Sequence, residues 1–244
     1  VSILSEAFSH DPFERRVKST YAFTRELLSL VAERGPELRA KTATTPSMTR
    51  GLVATAVPIR SALPSEAPSQ PVRFEILAGT GDSARTQPGV PRGIRRTGEI
   101  RTRPMPVFDR FVPTLERPVV GEYLISGRDT ATLRRLALHG VVATPLGAAQ
   151  LPASLEQFVV DSVVRSSRPF QGHRETRAFG RWAPADGTAI DDPYVVPAGA
   201  RAPLVMYLLD PESDDGFGDW DLFGAPLTAG VHPVRRELLR TLRR

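Results

Sequence analysis

The sequence predicts an α+β protein in which a strand and a helix, over residues 1–45, lead into a strand-rich α+β region over residues 46–244. Three observations carry this expectation. The opening stretch SILSEAFS sets Ile3 and Leu4 among small residues, as at the end of a buried strand. A capping signal at residues 11–14 is followed by an apolar stripe at helical spacing. Beyond residue 70, short runs rich in Val, Ile, Phe and Tyr recur between turn-forming residues, the texture of strands.

The first helix has the clearest start. Asp11 fits the N-cap, Pro12 the first helical position and Glu14 the third, an Asp-x-x-Glu capping box. Phe13, Val17, Tyr21, Thr24, Leu28 and Val31 then recur every three or four residues, predicting one face turned to a core. Gly35 and Pro36 are expected to stop it. Residues 36–70, rich in Ala, Thr, Ser and Pro, read as a surface connection with a short helix at 36–42. Strands are expected at 71–78, 105–112 and 119–125, with GTGDSARTQPGVPRG an exposed loop between the first two. Asp129 to His139 predicts a second helix, closed by Gly140, and VVATPL a strand after it. Further strands follow at 155–164, 174–183 and 193–197, then a short helix at 203–210 and a basic tail, RRELLRTLRR.

Composition limits the function classes. The chain has 244 residues, 41% of them apolar, enough for a real core, yet no apolar run approaches a membrane-spanning length. The absence of cysteine excludes disulfides, thiolate metal sites and cysteine nucleophiles, and leaves the compartment open. The net charge of +5 is a mild excess, its arginines are scattered, and four Tyr and two Trp offer little for base stacking. Neither a nucleic-acid nor a membrane partner is expected on these grounds.

Glu6 is the first candidate for chemistry, a lone carboxylate on the expected apolar strand just ahead of a helix N-terminus. A carboxylate in such a setting is either paired, for example with Arg15 or Arg16, or used as an acid or base. The run DPESDDGFGDWD places Asp210, Glu212, Asp214 and Asp221 at positions 1, 3, 5 and 12 of a calcium-loop template. Asp215 stands where that template needs glycine, so a solvated turn paired with arginines is the stronger expectation. Arg165, Arg168, His173, Arg174 and Arg177 crowd one segment, expected to be a loop between strands whose arginines pair with the acidic run.

SILSEAFSHDPFERRV, continued by TYAFTRELL, resembles the final strand and C-terminal helix of the catalytic domain in the M14 family of zinc metallocarboxypeptidases. RSSRPFQGHRE and YLLDPESDDGFGDWDLF resemble the region that follows that domain in a bacterial subfamily. The resemblance implies that residues 1–45 are the C-terminal strand and helix of an α/β/α zinc-peptidase domain, followed by a strand-rich α+β accessory region over 46–244, with a peptide or protein substrate. It implies zinc as cofactor, held by a His-x-x-Glu pair and a distant His, and a late glutamate as general base; that glutamate maps onto Glu6. None of His10, His139, His173 and His232 has Glu three residues on, so the zinc ligands are expected upstream of Val1, with this chain inactive by itself. The alternative is a non-catalytic binding or scaffolding module.

Overall fold

The computed structural model describes residues 3–51, 56–83, 89–147, 151–152, 154–186 and 189–238, with only the helical backbone described for 43–51. In chain order the elements are α1 (Phe13–Gly51), β1 (Ala56–Ala62), β2 (Ser69–Gly79), β3 (Ile94–Pro106), β4 (Val112–Pro118), β5 (Val120–Ser126), α2 (Thr130–Leu138), β6 (Thr144–Pro145), β7 (Glu156–Arg165), β8 (Thr176–Pro184), β9 (Pro193–Pro197), α3 (Ala202–Leu209) and β10 (Gly230–Leu238). The chain is a mixed α+β protein with antiparallel sheets and few helices. It divides into two compact units, Val1–Met48 with Pro64–Arg110, and Thr49–Leu63 with Phe111–Arg244.

The first unit holds α1 and the two-stranded β2–β3 ribbon. Residues 3–8 form no strand, and Ile3 and Leu4 are exposed, which corrects the expected buried strand. A strand needs a neighbour to take its backbone hydrogen bonds, and no described strand pairs with this segment. The helix begins at Phe13, with Arg16 N–H donating to the Pro12 carbonyl at 3.1 Å. It does not end at Gly35: Arg34 leaves helical geometry (φ −112°, ψ 15°) and a second helical segment continues to Gly51. Pro36 explains the kink, because it lacks an N–H and its ring crowds the carbonyl four residues back, yet proline is well suited to open the next segment. The stripe of Phe13, Val17, Tyr21, Leu28 and Val31 is exposed rather than turned to a core. The ribbon pairs Ser69 with Pro106 through Gly79 with Ile94, interrupted by a bulge between Glu75 and Leu77. Expected strand 71–78 lies within β2, whereas 105–112 straddles the end of β3, an irregular link and the start of β4.

The second unit contains the whole principal hydrophobic cluster of the described residues. Its six-stranded antiparallel sheet runs β6-β9-β5-β10-β7-β8, and β1 pairs with β4 beside it. Tyr123, Leu124, Phe158, Val196 and Val234 are buried from this sheet. The helix α3 is apolar all round, and Val205, Met206 and Leu209 are fully enclosed, as expected of a helix inside a core. Asp129 caps α2 as its position predicted, accepting from Thr132 N at 3.0 Å and from Thr132 Oγ1 at 2.6 Å. Only Thr144–Pro145 of VVATPL forms a strand. The expected basic tail is overturned by β10, which lies between β5 and β7 with Arg235 and Arg236 buried. Central strands are covered on both sides, and an arginine enters one only where carboxylates and aromatic faces receive it. Residues 239–244 of that tail lie outside the described residues.

Candidate functional site

Glu6 lies in irregular chain ahead of α1 and is exposed to solvent. The neighbouring Asp11 carboxylate pairs with Arg15 at 3.4 Å, leaving Glu6 outside that contact. The carboxylate is accessible to water, with neither the burial nor the strand setting expected of it.

The densest charged cluster lies elsewhere, where α3 ends in the second unit. Asp210 leaves the helix in extended geometry, its N–H still donating to Met206 O at 2.9 Å. Its Oδ1 accepts Glu212 N–H at 3.0 Å, which folds the chain back and buries Glu212 as well. Arg117, at the end of β4, meets both carboxylates: its Nε lies 3.7 Å from Asp210 Oδ2, and its Nη2 donates to Glu212 Oε2. Arg60 on β1 donates to the Glu212 carbonyl at 2.5 Å and to the Ala178 carbonyl at 3.0 Å. Across the sheet, Arg236 is registered between Tyr123 and Glu156, donates to Glu156 Oε2 at 2.8 Å, and sets its guanidinium 4.0 Å above the Trp182 ring.

Burial governs the electrostatics. It pushes the Asp210 carboxyl up to about 6, against the opposing pull of Arg117 and Arg236. Burial likewise lowers Arg117 and holds the Tyr123 hydroxyl well above its ordinary value. Asp210 Oδ2, Tyr123 OH and Arg236 Nη1 are buried without a hydrogen-bond partner among the described residues. A second buried group, His232, accepts Val234 N–H at Nδ1 (3.1 Å) and packs edge-on against Phe223, with burial driving its pKa down to about 3. Its chemistry is cohesion: it ties the β1–β4 pair to the loop after α3 and, through Arg60 and the Ala178 carbonyl, to β8.

The acidic run is therefore not a solvated turn. Residues 210–213 and 216–219 are buried, which corrects that expectation, while the expected pairing with arginine is met by Arg117. Its other carboxylates cap nearby N–H groups: Asp214 Oδ2 accepts Ser61 N–H at 3.0 Å and Asp219 Oδ2 accepts Asp215 N–H at 3.1 Å. Asp215, at the template's glycine position, does adopt a left-handed backbone (φ 60°). Even so, no group of three His, Cys, Asp or Glu stands close enough to hold a metal among the described residues.

The arginine-rich segment is the connection between β7 and β8, as expected, but among the described residues none of its arginines forms an ion pair with the acidic run. Arg165 donates to the Leu227 carbonyl, Arg174 holds the Ser166 and Ser167 carbonyls at 3.0 and 2.8 Å, and Arg177 pairs with Glu175 at 3.4 Å. His173 is exposed within that turn, and His10 and His139 are exposed far from it in sequence.

Arg60, Arg117 and Arg236 carried no local signal. Each meets its partner 80 or more positions away, a carboxylate for Arg117 and Arg236 and backbone carbonyls for Arg60, the shortest separation being that of Arg236 and Glu156. The only sequence-level hint is an acidic run directly behind the apolar segment PLVMYLL, since a run attached to a buried helix is carried toward the core. The chain matches no protein-family model, no curated protein and no solved structure.

Proposed function

We propose that this chain carries the closing elements of an M14-like carboxypeptidase, with Glu6 as general base in the hydrolysis of a C-terminal peptide bond or a related amide. The supporting observation is the conjunction at the N-terminus: an accessible Glu6, followed by a helix whose apolar stripe, from Phe13 to Val31, is uncovered among the described residues. Such a stripe is the face by which a terminal helix packs on a peptidase sheet. Glu6 would take a proton from the attacking water as the water oxygen adds to the scissile carbonyl carbon. It would then deliver that proton to the amine nitrogen as the C–N bond breaks, which regenerates the carboxylate.

The described residues do not fit a zinc site. Zinc, which the resemblance implies, would need its ligands from elsewhere, and the role assigned to this chain is the proton transfer alone. The test is release of the C-terminal amino acid from an N-blocked peptide by the full polypeptide bearing this chain, with zinc present. Glu6→Gln is expected to lower kcat roughly 100-fold or more with KM little changed. Normal turnover in that variant, or no release by the wild type, removes the reading. A binding or scaffolding module is the second reading. It is favoured by the closure of the Arg117, Asp210 and Glu212 cluster on itself, and peptide binding without hydrolysis would support it.

A further inference from the structure

The strand β8 ends the six-stranded sheet, pairing with β7 on one side and with no described strand on the other. Successive residues of a strand turn their backbone groups to opposite sides, so a few hydrogen bonds fix which residues face outward. Ala185 N–H donates to the Leu155 carbonyl and the Glu175 carbonyl accepts Ser166 N–H, both at 2.8 Å, so odd-numbered residues face β7. Even-numbered residues face away along the whole strand, because the bulge in this pair falls at Asp161 on β7 and leaves β8 unbroken. Two outward bonds agree: Thr176 N–H donates to the Asp219 carbonyl at 2.6 Å, and the Ala178 carbonyl accepts from Arg60 at 3.0 Å.

From Ala178 to Pro184 the rest of this edge is open. The N–H groups of Ala178, Gly180 and Trp182 and the carbonyls of Gly180, Trp182 and Pro184 have no hydrogen-bond partner among the described residues. Gly180 and Trp182 are half-buried, and Arg181 and Pro184 are exposed. The free donors and acceptors match one another about a two-fold axis at Arg181: the N–H groups of 178, 180 and 182 meet the carbonyls of 184, 182 and 180. The one bond such a pairing cannot make joins the Ala178 carbonyl, already held by Arg60, to the N–H that Pro184 lacks.

We propose that β8 pairs antiparallel with β8 of a second copy of this chain, about a two-fold axis at Arg181, joining the two six-stranded sheets into one. A two-fold dimer needs a self-complementary surface, and this edge is one. A foreign strand is free to present an N–H opposite Ala178, where Arg60 already sits, whereas the proline of a second copy presents none. The side chains agree. Trp182 comes opposite Gly180 of the second copy, a large ring beside a residue without a side chain. Arg181 comes opposite its own counterpart, but each is held by Asp161 of its own sheet at 3.0 Å, so the row of four charges is neutral. The other end of the sheet is β6, only Thr144–Pro145, and its proline cannot extend a ladder, so pairing stops at two copies. Neither Glu6 nor the stripe of α1 takes part, so the dimer and the peptidase reading stand or fall separately.

Because the chain has no cysteine, introduced ones report on the register. Residue 181 opposes itself in a non-hydrogen-bonded pair, with Cα atoms about 4.5 Å apart and within disulfide reach. Arg181→Cys in the full chain is therefore expected to cross-link under mild oxidation. Phe179→Cys and Ala183→Cys should cross-link with each other in a mixture and not each alone. Arg128→Cys, exposed just beyond β5 and three strands from this edge, sets the background. In sedimentation velocity the wild type should show a monomer–dimer equilibrium. Arg181→Glu should weaken the dimer roughly fivefold or more, since it sets carboxylates opposite one another beside Asp161, and an equimolar mixture with the wild type should recover it as a mixed dimer. Far-ultraviolet circular dichroism checks that each variant is folded. A wild type that stays monomeric at every concentration, cross-linking of Arg181→Cys no faster than that of Arg128→Cys, or a dimer indifferent to Arg181→Glu would each overturn the proposal.

Discussion

Removing Arg117 tests the buried cluster most directly. Its guanidinium is the cation nearest both Asp210 and Glu212, and Arg117→Met keeps much of the side-chain volume while removing the charge. Breaking one side of a buried pair costs about 3–5 kcal/mol, because the partner is left charged in a poorly solvated place. The cost should depend on pH, and its sign follows from Asp210. Its folded pKa, near 6, lies above the unfolded value of 3.8, so its contribution to stability is full below 3.8, falls as pH rises towards 6, and is then level. Without Arg117, the leading attraction that favours the carboxylate, that pKa moves higher still and the fall continues past pH 6. The full penalty is therefore expected at pH 7.5 and about 1–2 kcal/mol at pH 5, where Asp210 is largely protonated in both proteins. Both tryptophans, Trp182 and Trp220, lie in the second unit, so tryptophan fluorescence during urea unfolding reports on the right part of the chain. With a urea slope of about 2 kcal/mol/M, the midpoint should drop by roughly 2 M at pH 7.5 and by under ~1 M at pH 5. Adding Asp210→Asn keeps an acceptor for Glu212 N–H and removes one of the two stranded charges, so it should recover part of the lost stability at pH 7.5 and change little at pH 5. A shift of equal size at both pH values, or one below about 1 kcal/mol at pH 7.5, would refute the account of a desolvated, charge-compensated cluster.

Two further perturbations probe the same unit. His232 is buried with a pKa lowered to about 3, so the stability it confers by staying neutral is present above pH 6.5 and lost as pH falls towards 3, by about 4–5 kcal/mol in full. Because this contribution rises with pH between about 3 and 6.5, His232→Leu should make the change in stability from pH 4 to pH 6 less positive than in the wild type, readable from urea midpoints. Gly180 sits on β8 where a Cβ would overlap the Val159 carbonyl and stand 2.9 Å from the Phe158 ring. Gly180→Ala should cost roughly 2–3 kcal/mol by the same fluorescence assay, and a neutral result would mean that β7 and β8 separate more readily than their register implies.

Much of the second unit was legible from local pattern. Strands β5, β7, β8 and β9 fall where β-branched and aromatic runs predicted them, and α2 and α3 begin and end close to their punctuation. These elements declare themselves because their own residues bury against the core, so period and composition carry the information. Strands β1 and β3 were not anticipated. The segment IRRTGEIRTRPMP is polar on both faces, and its strand state comes from hydrogen bonds to β2 rather than from apolar alternation.

By itself the sequence determined the start of α1, the Asp129 cap and the absence of cysteine chemistry, each of which depends on composition or on neighbours a few residues apart. Only the tertiary structure decided which charges are buried. Arg236 sits within the same basic stretch as residues that read as a tail, yet it lies in a central strand, between Tyr123 and Glu156 and over Trp182. Asp210 and Glu212 open an acidic run that reads as solvated, yet they are enclosed because α3 is drawn into the core and Arg60 and Arg117 come from β1 and β4 to meet them. The physical reason is the same in each case. Desolvating a charge is unfavourable until a partner compensates it, and here the partners are 80 or more residues away, so their identity is a property of topology rather than of any local stretch of chain.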